Sequence, residues 1–189
     1  MRLASSFAAL AGLAALAAAG VANAANFDVQ AYANSSSGGT GLETINLTAG
    51  QSFSVSVNPT DLWNAGALPR WSNADGLSGN LFATGSDDSS EAFGTLIGQN
   101  FGLYNQGNLS AAYGTLVGQI GSGDFFVVGT QYAGSAATSG VLKLYYWDSN
   151  FGDNTQYVSA NVAAVPEPET YALMLAGLAA VGFMARRRG

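Results

Sequence analysis

The chain predicts an all-β fold, an antiparallel β-sandwich of jelly-roll type, and three observations carry that expectation. Several short segments alternate polar and apolar residues with a period of two, Gly, Ser and Asn punctuate the stretches between them, and no helix-period apolar stripe runs between the two ends. Ser52–Val57 is the plainest case: Ser52, Ser54 and Ser56 alternate with Phe53, Val55 and Val57, giving one wet face and one face to bury. Residues 43–47 precede it across Ala49-Gly50, and the two segments read as a hairpin. Further strands are predicted over 114–120, 124–129, 141–147 and 156–162. Phe125-Phe126-Val127-Val128 is apolar on both faces, which predicts a central strand. In 141–147, Leu142, Leu144 and Tyr146 share one face, and Val141, Lys143, Tyr145 and Trp147 share the other, which Lys143 marks as the wetter.

One internal echo interrupts the strand pattern. Ala92-Phe93-Gly94-Thr95-Leu96-Ile97-Gly98-Gln99-Asn100 returns 20 residues later as Ala112-Tyr113-Gly114-Thr115-Leu116-Val117-Gly118-Gln119-Ile120. Two copies do not make a solenoid; they read as similarly placed strands of one sandwich, with a fibre-forming repeat as the alternative. The apolar, weakly charged second copy would aggregate if exposed and is expected to be buried.

The two ends carry addresses. At the start, Arg2 precedes an almost wholly apolar run over 3–21, and Ala22-Asn23-Ala24 is a small-x-small site. Residues 1–24 therefore read as a secretory signal peptide cut before Ala25 by signal peptidase. At the other end, Val165-Pro166-Glu167-Pro168 precedes an uncharged run of 15 residues over 171–185 and the block Arg186, Arg187 and Arg188. That run, read as an apolar transmembrane helix over 170–185, is shorter than the roughly 20 residues needed to span comfortably, so it is a weak permanent anchor. The three arginines resist translocation and hold their end on the cytoplasmic side, leaving the rest of the chain outside. Pro166 and Pro168 keep the motif extended, as a processing enzyme's cleft requires.

This tail resembles the PEP-CTERM sorting signal, in which a Val-Pro-Glu-Pro motif precedes an apolar helix and a basic end. The resemblance implies recognition by an exosortase, a membrane-embedded cysteine transpeptidase-like enzyme of Gram-negative bacteria that make exopolysaccharide. It also implies membrane attachment through the helix before processing, then release to the cell surface or extracellular matrix. The chain thus divides into a signal peptide (1–24), a sandwich domain (25–163) and a sorting signal (164–189).

Between residues 25 and 165, Arg70 and Lys143 face ten acids, a net charge of −8. Such a surface opposes nucleic acid, because no basic patch exists to release counterions. The absence of Cys rules out disulfides and thiolate metal sites, and the absence of His rules out Ser-His-Asp triads, Cys-His pairs and histidine zinc sites within this chain. A pair of carboxylates remains available for glycoside chemistry, but Asp87, Asp88 and Glu91 lie in a polar loop and read as solvated acids. The expectation is a protein that is not an enzyme.

The most suggestive constellation is Asp148-Ser149-Asn150-Phe151-Gly152-Asp153-Asn154, directly after the strand over 141–147. Two carboxylates, amide side chains and backbone carbonyls within seven residues suit the six to eight oxygens that calcium prefers, and the spacing is not that of an EF-hand. Asp148, Asn150, Asp153 and Asn154 are the candidate ligands, with a plain polar turn as the alternative. Tyr145 and Trp147 are candidate platforms for sugar stacking, against core packing as the other role open to them.

This segment, with Trp63, Trp71, Gly76, 114–121, 126–129 and 139–144 before it, resembles the calcium-dependent galactophilic lectins of the PA-I type and, more loosely, galactose-binding jelly rolls. The resemblance implies that Asp148, Asp153 and Asn154 hold both calcium and sugar hydroxyls. It also implies carbonyl ligands at Asn150 and near Ala65 or Gly66. The chain departs from the pattern in carrying Asp153 where the lectins have Asn, in a loop two residues shorter, and in lacking the sugar-binding histidine, so galactose specificity does not carry over. Two functions follow: a calcium-dependent module binding extracellular polysaccharide, or a structural matrix or adhesin-like protein without a specific ligand.

Overall fold

Alternating burial builds two antiparallel sheets that close over one apolar interior. The computed structural model describes residues 23–165 and 168–187. In chain order its strands are β1 (Asn23–Gln30), β2 (Leu42–Leu47), β3 (Ser52–Val57), β4 (Trp63–Asn64), β5 (Trp71–Ser72), β6 (Leu81–Phe82) and β7 (Leu96–Gly98). There follow β8 (Leu103–Gln106), β9 (Leu109–Ala112), β10 (Leu116–Ile120), β11 (Phe125–Val127), β12 (Gln131–Ser135), β13 (Gly140–Tyr146) and β14 (Tyr157–Ala164). One sheet has the order β1-β14-β3-β12, the other β11-β10-β13-β2, and three two-stranded hairpins, β4-β5, β6-β7 and β8-β9, are added to them. The all-β antiparallel sandwich expected from the sequence is the observed architecture.

The first sheet contributes Val29, Phe53, Val55, Val57, Val158, Ala160 and Val162 to the core, and the second contributes Leu47, Leu116, Ile120, Leu142, Leu144 and Tyr146. In β3 and β13 the buried residues are the alternate ones that the period of two selects. Trp63 lies fully buried at one end of this core, its ring edge-on to Tyr146 at 4.6 Å and its Nε1 donating to the Gly114 carbonyl at 2.9 Å. An indole is tolerated there because its one donor is satisfied.

Three expectations about connectivity are corrected. β2 and β3 do not form a hairpin: β2 pairs with β13, whereas β3 pairs with β14 and β12. Between them the Gln51 N–H bonds the Thr48 carbonyl at 2.9 Å, and Gly50, at φ +88°, turns the chain from one sheet to the other. Leu47 and Phe53 thereby enter the core from opposite sides, which a flat hairpin does not allow.

β11 is an edge strand rather than a central one. Its two-sided apolarity has another cause: Phe126 packs inward on Phe53 and Tyr132, while Phe125 packs outward on Trp147 and Tyr145. The open edge is closed by Asn108, whose side chain accepts from the Phe125 N–H at 3.0 Å and donates to its carbonyl at 2.9 Å. A side-chain amide here takes the place of a neighbouring strand.

The two copies of the echo are not equivalent strands. Leu96–Gly98 belongs to the hairpin β6-β7, and Leu116–Ile120 to the main sheet, where Leu116, Val117 and Ile120 are buried as expected. What the copies share is a turn: Thr95 N–H bonds Ala92 at 3.0 Å, Thr115 N–H bonds Ala112 at 3.2 Å, and Gly94 and Gly114 both have positive φ. That is the type II geometry, which demands glycine at its third position.

β1 pairs with β14 from Asn23↔Ala164 to Gln30↔Tyr157. The apolar part of the expected signal peptide, 1–22, lies outside the described residues, and the pairs from Ala25 onward lie beyond its expected cleavage point. At the other end Val165 is tied to the sandwich, its N–H donating to Ser52 at 3.0 Å and its carbonyl accepting from Gln51 Nε2 at 3.2 Å. Pro166, Glu167 and Arg188 lie outside the described residues. The chain divides into the sandwich unit, 22–167, and a second unit that includes the helix α1 (Pro168–Arg187). Pro168 is the first helical residue, a position where its missing N–H costs nothing, so the helix begins earlier than expected. Arg186 and Arg187 fall in its last turn, the favourable end of the helix dipole for a cation.

Among the described residues no helix is long and apolar enough to cross a membrane, which corrects the expected transmembrane helix. At 1.5 Å per residue, 15 uncharged residues cover only about 22 Å of a hydrocarbon core about 30 Å thick.

Leu144 is fully buried in the middle of the core, and shortening it leaves a cavity that rigid sheets cannot collapse. Leu144→Ala is expected to lower the unfolding free energy by about 2–5 kcal/mol with an unchanged denaturant slope, measured by urea titration.

Candidate functional site

The candidate loop begins where β13 ends. After the buried Tyr146 the chain continues through Trp147 to Asp148, whose backbone N–H and carbonyl are both engaged by the Ser36 hydroxyl at 3.2 Å. Asp148 is only 4% exposed. A short 3-10 turn, Phe151–Asp153, follows, with Asn150 as its N-cap and Asn154 as its C-cap. Asn150 Oδ1 accepts from the Gly152 N–H at 3.2 Å, and its Nδ2 donates to Asp153 Oδ1 at 3.1 Å. Beyond it, Asn64 and Thr155 exchange two backbone hydrogen bonds of 3.1 Å, which fixes the exit of the loop.

Neighbouring segments hold the loop from both sides. On one side the Phe151 ring lies on Gly38, where any Cβ would overlap it, and meets Tyr32 edge-on at 5.2 Å. On the other, Gly66, at φ +105°, lies against the Asp153 carboxylate so closely that a side chain there would collide with it. The segment around Ala65 and Gly66 therefore borders the loop at Asp153.

The electrostatics are unusual for a plain turn. Burial pushes the Asp148 carboxyl above the usual carboxylate range; the Asn154 amide and the N–H groups of Ser149 and Asn150 oppose that rise, and the Asp153 charge adds to it. The Tyr146 phenol is pushed well up, first by burial and then by the charges of Asp148 and Asp153. Asn154 is 3% exposed; its Nδ2 donates to the Ala31 carbonyl at 3.1 Å, but its buried Oδ1 meets no hydrogen-bond partner among the described residues. An unpaired buried acceptor beside a destabilised buried carboxylate is a costly arrangement in a protein without a ligand.

Those are the groups a hard cation would satisfy. Asp148, Asp153, the Asn154 carbonyl oxygen and the backbone of Asn150 fit calcium by donor type, all being oxygens. Among the described residues no cluster of three or more His, Cys, Asp or Glu side chains forms, so a cation here would rely on two carboxylates plus amide and backbone oxygens.

The aromatic candidates do not form a platform. Trp147 is fully buried, with its Nε1 donating to the Tyr104 carbonyl at 2.9 Å and its ring packed on Tyr104 and Phe125. The hairpin β8-β9 covers the face that Lys143 had marked as wet, and Lys143 itself pairs with Glu43 at 3.1 Å. Tyr145 is half-buried, its ring on Gly41 and against Phe125 and its hydroxyl donating to Gln119 at 3.2 Å.

Three side chains that the sequence did not single out stand beside the loop instead. Arg70 Nη1 lies 3.7 Å from Asp153 Oδ2, its guanidinium sits 4.6 Å over the Phe101 ring, and Tyr113 hydrogen-bonds Ser149 at 3.3 Å. The available signal was Arg70 itself, one of two cations between residues 25 and 165. Two of the acids of 87–91 have structural work: Asp88 accepts from the Leu62 N–H at 2.8 Å, and Asp87 organises the turn through Thr84 and Ser89.

Residues 164–188 match the PEP-CTERM protein-sorting motif. That motif implies an exported protein of the Gram-negative envelope or surface, with exosortase as its processing partner. No curated protein is significantly similar in sequence. Among solved structures, the EclA N-terminal domain, described as a PllA-like lectin, superposes with a TM-score of 0.43 at 17% identity, covering 75% of this chain and 94% of that one.

A carboxyl whose folded pKa is raised favours folding while it is protonated and loses that contribution as pH rises through the raised value. Without calcium, Asp148→Asn is therefore expected to be more stable than the native protein at pH 7, with the difference closing as pH falls towards about 4. Thermal melts across this range in a chelator check it.

Proposed function

We propose that the exported domain is a non-catalytic, calcium-dependent carbohydrate-binding module directed at extracellular polysaccharide. The observation that carries this reading is the buried, unpartnered Asn154 Oδ1 beside the buried Asp148 carboxylate, at the inner end of a loop whose outer end is the half-exposed Asp153. Asp148 and Asn154 supply the inner donors, held by Ser36 and Ala31, and Asp153 and the Asn150 backbone supply the outer ones. Calcium bound there would offer its remaining coordination positions to vicinal sugar hydroxyls. The chain's own part is to hold the donors in place before binding, so that little ordering cost remains.

A structural role in a matrix, without a specific ligand, is the second reading. It is favoured by the uncharged outward face of Ser52, Ser54 and Ser56 in β3 and by the edge strand β12, one side of which is unpaired among the described residues.

Calcium at a hundred times its dissociation constant is expected to stabilise the domain by about 2.7 kcal/mol, and magnesium by less. Asp148→Ala with Asp153→Ala should abolish the rise in melting temperature. No calcium shift in the native protein would eliminate the metal site and leave the structural reading. Intact-mass measurement of the protein from its host should show a chain starting at Ala25 and ending before Arg186; a terminus intact through Arg188 would contradict processing.

A further inference from the structure

We infer that the sugar taken by this site is acidic, a uronic acid unit whose carboxylate is received by Arg70 while its hydroxyls face the 148–154 loop. This rests on the calcium-dependent reading above and names its substrate class.

The rim beside the loop is a closed chain of contacts. From Asp153 it passes to Arg70 Nη1 at 3.7 Å, from the Arg70 guanidinium to the Phe101 ring at 4.6 Å, and from Phe101 to Tyr113, edge-on at 5.1 Å. Tyr113 returns it to the loop through Ser149 at 3.3 Å. A cation and two aromatic rings therefore border the same loop that holds the unpaired Asn154 oxygen. The turn of the second echo copy, Ala112–Thr115, sets Tyr113 in this rim, and the Gly114 N–H is held by the Trp147 carbonyl at 2.9 Å.

Arg70 is poorly used as a structural ion pair. The Asp153 contact is long, both side chains are more than a third exposed, and such pairs contribute little to stability. Nη1 also carries the one other contact, to the Ala65 carbonyl at 3.4 Å, so Nη2 and Nε are unpaired among the described residues. The Phe101 contact is made through the guanidinium carbon, 4.6 Å from the ring centroid, and the edge carrying Nε and Nη2 matches the fork geometry of a planar carboxylate.

The surrounding charge makes the placement specific. In a region of net charge −8, the other cation, Lys143, is already paired with Glu43 at 3.1 Å. An anionic sugar is repelled by most of this surface and accepted where Arg70 and the cation loop lie together.

The test compares matched sugars that differ only at C6, methyl galactoside with methyl galacturonide and methyl glucoside with methyl glucuronide, titrated calorimetrically in calcium against the exported protein. At least one uronide is expected to bind about tenfold more tightly than its neutral partner. Arg70→Gln should cut that preference to about twofold or less while keeping the calcium melting shift, and Arg70→Lys, which keeps the charge without the fork, should fall between. Equal affinities for both members of each pair, or a preference that survives in Arg70→Gln, would overturn the inference while leaving the calcium site standing. Absence of both the calcium shift and sugar binding would overturn the underlying reading and this inference with it.

Discussion

The structure depends on a single constraint, the shared interior of two sheets, and β13 is where that constraint meets function. Its alternate residues Leu142, Leu144 and Tyr146 are withdrawn completely from water and lock the strand in register between β10 and β2. A slip of one residue would turn Lys143 and Tyr145 inward and eject the core. Because the register cannot slip, Asp148 is delivered to one place at the end of the sandwich, where Ser36 engages both of its backbone groups. The position of the candidate loop is thus a consequence of hydrophobic packing two residues upstream.

Burying Asp148 works against the same economy of water exclusion. Its carboxylate receives N–H groups from Ser149 and Asn150 and the amide of Asn154, yet burial still raises its pKa, and Asp153 adds a like charge. Polar groups in an ordinary turn face water or pair with each other. Here a carboxylate and an amide oxygen are both removed from water, and the oxygen is left unpaired. That combination, more than the number of acids in the loop, separates this segment from the 84–91 turn, where Asp87 spends its oxygens on local hydrogen bonds.

A second layer outside the sandwich shapes the surroundings of the loop. The hairpin β8-β9 covers Trp147 and Phe125 and provides Tyr104, and the short hairpins β4-β5 and β6-β7 gather a small cluster of Leu62, Trp71, Ala83 and Ile97. These additions explain two features of the sequence together: an apolar run on an edge strand, and aromatic residues on a strand face that carries a lysine. They also bring Phe101 and Tyr113 to the rim, joining Arg70 to the loop through ring contacts. The Ala-aromatic-Gly-Thr echo is accounted for at the level of the turn, where each copy needs glycine at positive φ.

The sequence by itself determined what is local and periodic. The period of two, with one turn-bounded apolar run, located six of the eight strands of the main sheets, and the Pro-Glu motif with its arginine block identified the sorting signal. The density of oxygen donors over 148–154 marked the candidate loop. The burial of Leu142, Leu144 and Tyr146 was legible because alternation on a strand is a property of the backbone pleat. Tertiary structure alone decided what depends on contacts distant in sequence. It sent β2 and β3 to opposite sheets, closed the β11 edge with Asn108, and hid Trp147 beneath a hairpin that neither its neighbours nor its alternation announces. It also brought Arg70 from about 80 residues away to Asp153, and left Asn154 with a buried oxygen that has no partner among the described residues, because pairing and burial are settled by the layers that fold over a strand rather than by the strand itself.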